Sequence, residues 1–311
     1  MIKLKIVITG ASGFIGKNLL QQLDLSEFDV TLITRNSDKF EAQFAERFTI
    51  VEADLLQLDS LILAFNKQDV LVNLAAEVRN EELLEKTNVQ GTKNLIAAIR
   101  QSSISKVIHL SSVGVVGKGF SDAPLIVDED CKPTPVNEYE RTKLISEQLF
   151  LDAASKDDFE LSVLRPTNVF GENHPFNALL NLMRKIVSKK PLIYANGAMV
   201  NYVYVSDLNA FIIHLIKTNQ FNGIYNVGKS IPLKDFYLLL MKSLNCKTRI
   251  IKVPTIFIKL AKVLRFSKLQ PISNKVNYSD QKLEGNFYYP FGLNKGIQNT
   301  VDYFKKRELL K

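Results

Sequence analysis

Short runs of apolar and β-branched residues recur along the first half of the chain, at 6–9, 30–34, 49–53, 70–73, 107–111 and 161–164. Most are apolar at successive rather than alternate positions, which is the pattern of a strand covered on both faces. Between several of them the period changes. In 83–100 the apolar residues Leu83, Leu84, Leu95, Ile96 and Ile99 recur at helical offsets. Strand and helix in this alternation predict an α/β fold, a doubly wound parallel sheet with helices on both faces. After Arg165 the alternation is less regular: 177–189 and 233–244 have helical spacing, while 203–205 and 224–227 read as strands. The expected organisation is a large domain over 1–165 and a smaller α/β region over 166–311, with segments around 200–228 returning to the first.

The first strand opens directly into Gly10-Ala11-Ser12-Gly13-Phe14-Ile15-Gly16, and an amphipathic helix follows. In a phosphate loop the first glycine permits the tight turn and the second lets backbone approach a pyrophosphate. The third lets helix and strand pack closely, and the helix N-terminus favours the anion. Gly10, Gly13 and Gly16 are therefore candidate cofactor contacts of a Rossmann domain; a plain β-to-α turn is the other use of such glycines. The second strand ends in Thr34-Arg35-Asn36, with no carboxylate placed for the adenosine ribose of NAD. Arginine there can neutralise the 2′-phosphate of NADP, so NADP is expected in preference to NAD, unless Arg35 is only a solvated strand end. Asp54, just after the third strand, is available to the adenine edge or caps a helix.

Farther on, Asn137-Glu138-Tyr139-Glu140-Arg141-Thr142-Lys143 reads as a loop entering a helix, with Asn137 and Glu140 at capping-box spacing. Tyr139 and Lys143 then lie one turn apart on one face. A free phenol, with a pKa of about 10, is a poor base at neutral pH, and an adjacent ammonium lowers that value. The fifth strand stops in Ser111-Ser112-Val113-Gly114, at the carboxyl end where such sheets bind ligands. Ser112 is placed there to hold a substrate oxygen that Tyr139 protonates or deprotonates. The candidate catalytic residues are Ser112, Tyr139 and Lys143.

Composition narrows the setting. The 311 residues are 46% hydrophobic and 23% charged, an ordinary globular balance. Cys131 and Cys246 form neither a disulfide framework nor a metal-ligand spacing, and His109, His174 and His214 read as structural, so no metal is expected. A net charge of +8 favours anionic ligands, but the lysines are scattered without a recognition motif and nucleic acid is not an expected partner. Residues 1–9 do not match a signal peptide, and no apolar stretch is long enough to span a bilayer. A cytoplasmic protein without stable membrane insertion is expected. Within 256–265, Lys259, Lys262 and Arg265 fall at three-residue steps among apolar residues. This reads as a packed helix with a charged outer stripe, or else as a membrane-surface helix.

With these pieces in this order, the chain resembles the extended short-chain dehydrogenase/reductase family, in its NAD(P)-dependent epimerase/dehydratase branch. The resemblance covers essentially the whole sequence. Besides the glycine loop and Tyr139 to Lys143, it rests on Asp54-Leu55, Asn73-Leu74-Ala75-Ala76, Asn88-Val89-Gln90-Gly91-Thr92, Ser111-Ser112 with Gly117, and Leu164-Arg165-Pro166-Thr167-Asn168-Val169-Phe170-Gly171. Tyr202-Val203-Tyr204-Val205-Ser206-Asp207 and 296–304 add to it. The resemblance implies that Ser12, Phe14, Ile15, Leu55 and Pro166 join the cofactor contacts and that Ala75 and Ala76 pass beneath the cofactor. It implies that Lys143, beside Tyr139, also holds the nicotinamide ribose, that Asn168 faces the substrate, and that the protein is a helix-paired homodimer.

The activity so implied is reduction of a keto group on a nucleotide-linked sugar. A nucleotide-sugar 4-epimerase or dehydratase with retained NAD is the nearest alternative, and a reductase of sterol-like or flavonol-like ketones another. A non-catalytic dinucleotide sensor would leave Ser112, Tyr139 and Lys143 unexplained. One departure bears on the substrate. Sugar-nucleotide members commonly carry an arginine just before the Tyr-Val-Tyr-Val-like strand, where this chain reads Ala198-Met199-Val200-Asn201. Val253-Pro254 followed by 255–266 resembles the proline-then-helix element of members that reduce 4-keto sugars and of those acting on sterol-like or flavonol-like ketones.

Overall fold

A computed structural model describes residues 3–40, 42–175, 178–218, 222–254, 256, 258 and 270–310. The basic run at 256–265 and the proline-then-helix element lie almost wholly outside the described residues. The chain divides into two compact units, one of Met1–Gly117, Lys132–Arg165 and Asn209–Tyr225, the other of Lys118–Cys131, Pro166–Leu208 and Asn226–Lys311.

The first unit is built on β1 (Leu4–Thr9), α1 (Phe14–Leu20), β2 (Phe28–Thr34), α2 (Ala42–Ala45), β3 (Thr49–Glu52), α3 (Leu58–Phe65) and β4 (Val70–Asn73). It continues with α4 (Glu81–Leu84), α5 (Gly91–Ile99), β5 (Lys106–Leu110), α6 (Glu138–Ala154) and β7 (Glu160–Pro166), and takes in most of α8 (Val205–Lys217) and β11 (Gly223–Val227). The strands form one sheet in the order β11-β7-β5-β4-β1-β2-β3, parallel from β7 through β3. Chain order runs outward in both directions from β1, which puts a topological switch point, and so a ligand crevice, at the carboxyl ends of β1 and β4. Continuous apolar runs are needed because both faces are covered: Ile6, Val7, Ile8, Val72, Val107 and Ile108 are all fully buried. On one face Val7, Leu71, Val107 and Val163 share a core with Leu61 and Phe65 of α3, Leu95 and Ile99 of α5, and Phe150 of α6.

The stretch read as a single helix from Leu83 to Arg100 differs in detail. Asn80 caps α4 by accepting from the Glu82 N–H. Glu85–Gln90 then winds as a π-helical segment before α5 begins. That wider turn carries Asn88 inward, a use such segments often have near functional sites.

In the second unit β10 (Met199–Tyr204) lies between β8 (Asn168–Phe170), parallel to it, and β12 (Lys229–Pro232), antiparallel. Of the strands within 200–228, β11 lies in the main sheet and β10 does not. Its ladder is used up by β8 and β12. The pairs β9 (Leu192–Ala195) with β13 (Ile250–Val253), and β6 (Leu125–Val127) with β14 (Val276–Tyr278), complete the strands. Through that last pairing 118–131 belongs to this unit, although it interrupts the sequence of the first. Among the described residues the helices of this unit include α7 (Ala178–Val187), α9 (Leu233–Leu244), α10 (Gln270–Ser273) and α11 (Gly292–Lys306). Aromatic stacking of Tyr202 on Phe236, 4.8 Å between centroids, fixes α9 to the small sheet. Gly296 brings α11 onto the Tyr204 ring so closely that a Cβ would sit 2.5 Å from it. Among the described residues no helix is long and apolar enough to cross a membrane.

Candidate active site

Thr9 and Asn73 end β1 and β4 in register with His109, one residue before the end of β5, so three strand ends share one edge of the crevice. From Thr9 the chain enters the glycine loop. Gly10 has φ +70°, and a Cβ on it would lie 2.6 Å from the Ala75 nitrogen; one on Gly16 would lie 2.6 Å from the Ala11 backbone. The Gly13 N–H closes the turn on the Gly10 carbonyl at 3.0 Å. Gly13 itself caps α1 without a side-chain bond. The result is a cradle of bare backbone flanked by half-buried Ser12, Phe14 and Ile15, which fits a dinucleotide's pyrophosphate.

Ala75 and Ala76 follow β4 and are half-buried, with the Ala75 N–H 3.4 Å from the Thr9 hydroxyl. Asn88 from the π segment steadies this strap: its Oδ1 accepts from the Glu77 N–H at 2.8 Å and its Nδ2 donates to the Glu77 carbonyl at 3.0 Å. Arg35 is exposed just beyond β2. Its charge joins the N–H groups of Arg79, Asn80 and Val78, the larger influence, in holding the Glu77 carboxyl below its ordinary range. Asp54 spends Oδ1 on the Leu56 N–H at 3.0 Å, in the turn that precedes α3. Leu55 packs against Gly91 at the start of α5.

Sequence reading missed Glu52. In register with Thr34, it accepts from both the N–H and the hydroxyl of Ser37, at 2.9 and 2.7 Å. A carboxylate thus stands at the end of the neighbouring strand, although none ends β2. The parallel register was the signal that could have found it.

The other wall is the seam between β5 and α6, where three consecutive residues each hold one residue of the helix. His109 bonds Ser146, the Leu110 carbonyl accepts from the Lys143 ammonium at 2.7 Å, and the Ser111 hydroxyl donates to Glu147 at 2.7 Å, while the Ser112 hydroxyl beside Tyr139 accepts from the Gly114 N–H at 3.1 Å. Glu147 is completed by a buried ion pair with Arg165. The structure therefore brings Ser112, Tyr139 and Lys143 together.

Their charge states depart from the simple expectation of a phenol lowered by its lysine. Burial pushes Tyr139 up to about 12, with the Glu140 carboxylate adding to the rise and the Ser112 bond opposing it. Burial also pushes Lys143 down to about 8, against the pull of Glu147. Tyr139 is thus held as a proton donor. At the start of α6, Asn137 accepts from the Glu140 N–H at 2.9 Å, but Glu140 returns its carboxylate to the Val136 N–H rather than to Asn137, one residue off a closed capping box.

Pro166 and Asn168 fall in the second unit. Pro166 is buried at the end of β7, and Asn168 is exposed, its Nδ2 donating to the Asn201 carbonyl at 2.9 Å. Asn201 is buried and tied to Val276 and Ser230. Among the described residues no group of His, Cys, Asp and Glu is arranged to hold a metal ion.

Comparison with known proteins bears on this arrangement. Residues 6–228 match the model of the "NAD dependent epimerase/dehydratase family". The N-acetyl-alpha-D-glucosaminyl-diphospho-ditrans,octacis-undecaprenol 4-epimerase of Escherichia coli O157:H7 is 31% identical over 68% of this chain and 63% of its own length. The chain therefore matches under two thirds of that relative. Cinnamoyl-CoA reductase 1 of Petunia hybrida is 30% identical over 73% of each chain. The solved UDP-glucose 4-epimerase of Thermotoga maritima, with UDP-glucose, superposes with a TM-score of 0.77 over 98% of this chain and all of its own, at 19% identity, a likeness of fold.

Proposed function

We propose, from the premise that the chain belongs to the NAD dependent epimerase/dehydratase family, that it reduces a keto group on a nucleotide-linked sugar by hydride transfer. The observation that carries this reading is the placement of Tyr139 and the buried Lys143 one turn apart on α6, with the Lys143 ammonium held by the Leu110 carbonyl two residues before Ser112. Reduction of a ketone needs a proton donor where the oxygen becomes an alkoxide. Tyr139 supplies that proton, Ser112 orients the oxygen, and the Lys143 ammonium stabilises the phenolate left behind until solvent reprotonates it. Bound in the glycine cradle, a nicotinamide cofactor supplies the hydride. In the reverse direction Tyr139 takes the proton of a carbinol. Asn168 is the residue we assign to substrate contact on the second unit. Arg35, with no carboxylate ending β2, supports NADP as the preferred cofactor.

A second reading is a 4-epimerase that retains NAD and returns the hydride to the same sugar. The identity to the Escherichia coli epimerase favours it, and that relative's name places its sugar on a lipid diphosphate. One experiment separates the two. The freshly purified protein is denatured, any released dinucleotide is identified, and the as-isolated protein is titrated with NADPH and NADH. An empty site preferring NADPH supports net reduction; stoichiometric NAD supports the epimerase. With the substrate class in hand, Tyr139→Phe should keep cofactor affinity and lower turnover by roughly 10²- to 10⁴-fold. Unchanged turnover would remove Tyr139 from the mechanism.

A further inference from the structure

We propose that His109 is a positioning residue for Tyr139 and Lys143, a neutral imidazole whose Nε2–H grips Ser146 and so sets the depth and rotation of α6 against β5. The proposal rests on the reading of Tyr139 and Lys143 given above, but its first test does not depend on activity.

The argument comes from following protons through a buried chain of hydrogen bonds. Thr9, Asn73, His109, Ser146, Thr92 and Asn88 are all at most 4% exposed. Thr92 donates its single hydroxyl proton to the Asn88 carbonyl at 2.7 Å. Ser146, 2.7 Å from the Thr92 oxygen, must therefore be the donor of that pair. Its own oxygen is then left to accept, and the group opposite is His109 Nε2 at 3.3 Å. Nε2 carries the ring proton. Nδ1 is bare and accepts from the Asn73 amide nitrogen at 3.0 Å, while the Asn73 oxygen accepts from the Thr9 hydroxyl at 2.6 Å. Reversing the Asn73 amide would force the Ser146 proton onto His109 and leave two oxygens 2.7 Å apart with no proton between them. One tautomer alone satisfies every group.

A second ring proton would meet the Asn73 amide hydrogens head-on, in a site that is fully buried and faces the Lys143 ammonium. Phe150 packs against the ring, centroids 4.7 Å apart, and the nearest acid, Glu147, is engaged by Ser111 and Arg165. His109 is thus a fixed strut rather than a titrating group. Ser146 lies three residues beyond Lys143, and the Lys143 ammonium is held by the carbonyl of Leu110, the residue after His109. The adjacent Thr142 receives a bond from Asn88 at 3.1 Å and donates to the Tyr139 carbonyl at 3.0 Å. The polar stripe of α6 is therefore tied to the sheet next to the face that presents Tyr139, Lys143 and Glu147.

The first measurement is a long-range ¹H–¹⁵N spectrum of the wild-type histidines across pH 5–9. The chain has three, and the His109 signals are the ones lost in His109→Gln. The Nε2–H tautomer without titration is expected; an Nδ1–H form, or titration near about 6.5, overturns the proposal. The second compares His109→Phe, which keeps a ring but no donor, with His109→Gln, whose amide nitrogen reaches the Nε2 position. Lys143, identified in ¹³Cε-lysine spectra through Lys143→Arg, should titrate near its wild-type value in His109→Gln and move up toward the ordinary lysine range in His109→Phe.

Turnover should fall about tenfold in His109→Phe with KM little changed, and recover in His109→Gln. If His109→Phe folds poorly, Ser146→Ala removes the same bond from the helix side. Equal loss in the Gln and Phe variants, or an unmoved Lys143 in a folded variant lacking the bond, overturns the positioning role.

Discussion

The glycine loop after β1 and the seam between β5 and α6 face the same crevice, yet they work by opposite means. At Gly10 and Gly16 a single added carbon would run into the backbone of Ala75 or Ala11, so the loop functions through the side chains it lacks. Along the seam His109 and Ser111 each bind a particular side chain of α6, and the Leu110 carbonyl binds a third. The loop's close backbone approaches, Gly10 on Ala75 and Gly16 on Ala11, leave a bare surface whose geometry matters to a ligand. His109, Ser111, Lys143, Ser146 and Glu147 were all removed from water when the unit folded, while Ser112 and Tyr139 keep part of their surface, so the seam is a structural joint first and a catalytic surface through that joint. Changes in the seam should therefore register as lost stability, and changes in the loop as lost affinity.

The sharpest test of that division is Glu147→Ala. It removes the carboxylate that faces the Arg165 guanidinium, 2% exposed, and should cost about 3–5 kcal/mol in urea unfolding. A loss under about 1 kcal/mol would mean that the pair behaves like a surface bridge and the seam is not a joint.

Next is the pH dependence of stability through Lys143. Its folded value near 8 lies below the ordinary 10.5, so between those values the unfolded chain binds more protons at this site and stability rises with pH. Relative to Lys143→Met, the wild type should gain on the order of 3 kcal/mol across that window. A flat difference would show that the ammonium is not desolvated. Tyr139 works in the opposite sense above pH 10: the unfolded phenol ionises first, and stability falls toward about 12.

Gly10→Ala should cost about 1–2 kcal/mol of folding stability through its left-handed backbone, and more because the Ala75 backbone, 2.6 Å from the added carbon, must shift. Dinucleotide affinity, read by NADPH and NADH titration, should fall by about a hundredfold as the strap at Ala75 is displaced. Large unfolding with affinity retained would reverse the contrast. Asn137→Ala, at the exposed mouth of the seam, should be the mildest, about 1 kcal/mol from loss of the cap on the Glu140 N–H.

How far the chain could be read in advance follows the same division. Strands buried on both faces announce themselves as apolar runs, and a glycine cradle is visible because its residues do their work at fixed local spacing. Tyr139 and Lys143 were legible as one face of a helix. The partners of that face were not. Asn73 and Thr92 stood out only as parts of motifs with no stated contact to α6, Ser146 looked like an ordinary polar residue, and His109 sits inside an otherwise apolar strand with nothing local to say what its ring touches. Glu52 was hidden for the same reason, since its relation to Thr34 exists only across two strands. The π segment at Glu85–Gln90 escaped because a wider turn leaves the helical period of the apolar positions nearly intact.

The pairing of β6 with β14 has a consequence for how the protein is made. Leu125 lies opposite Val276, roughly 150 positions later, so at bacterial-to-eukaryotic synthesis rates β6 emerges on the order of ten seconds before its partner. Within that interval the first unit, with β1 to β5 already made, gains α6 and can begin to assemble, while the insert between β5 and α6 waits as an unmatched edge. A ribosome stalled before β14 would hold a nascent chain with an open strand, the state most prone to pair with a neighbour on the same message.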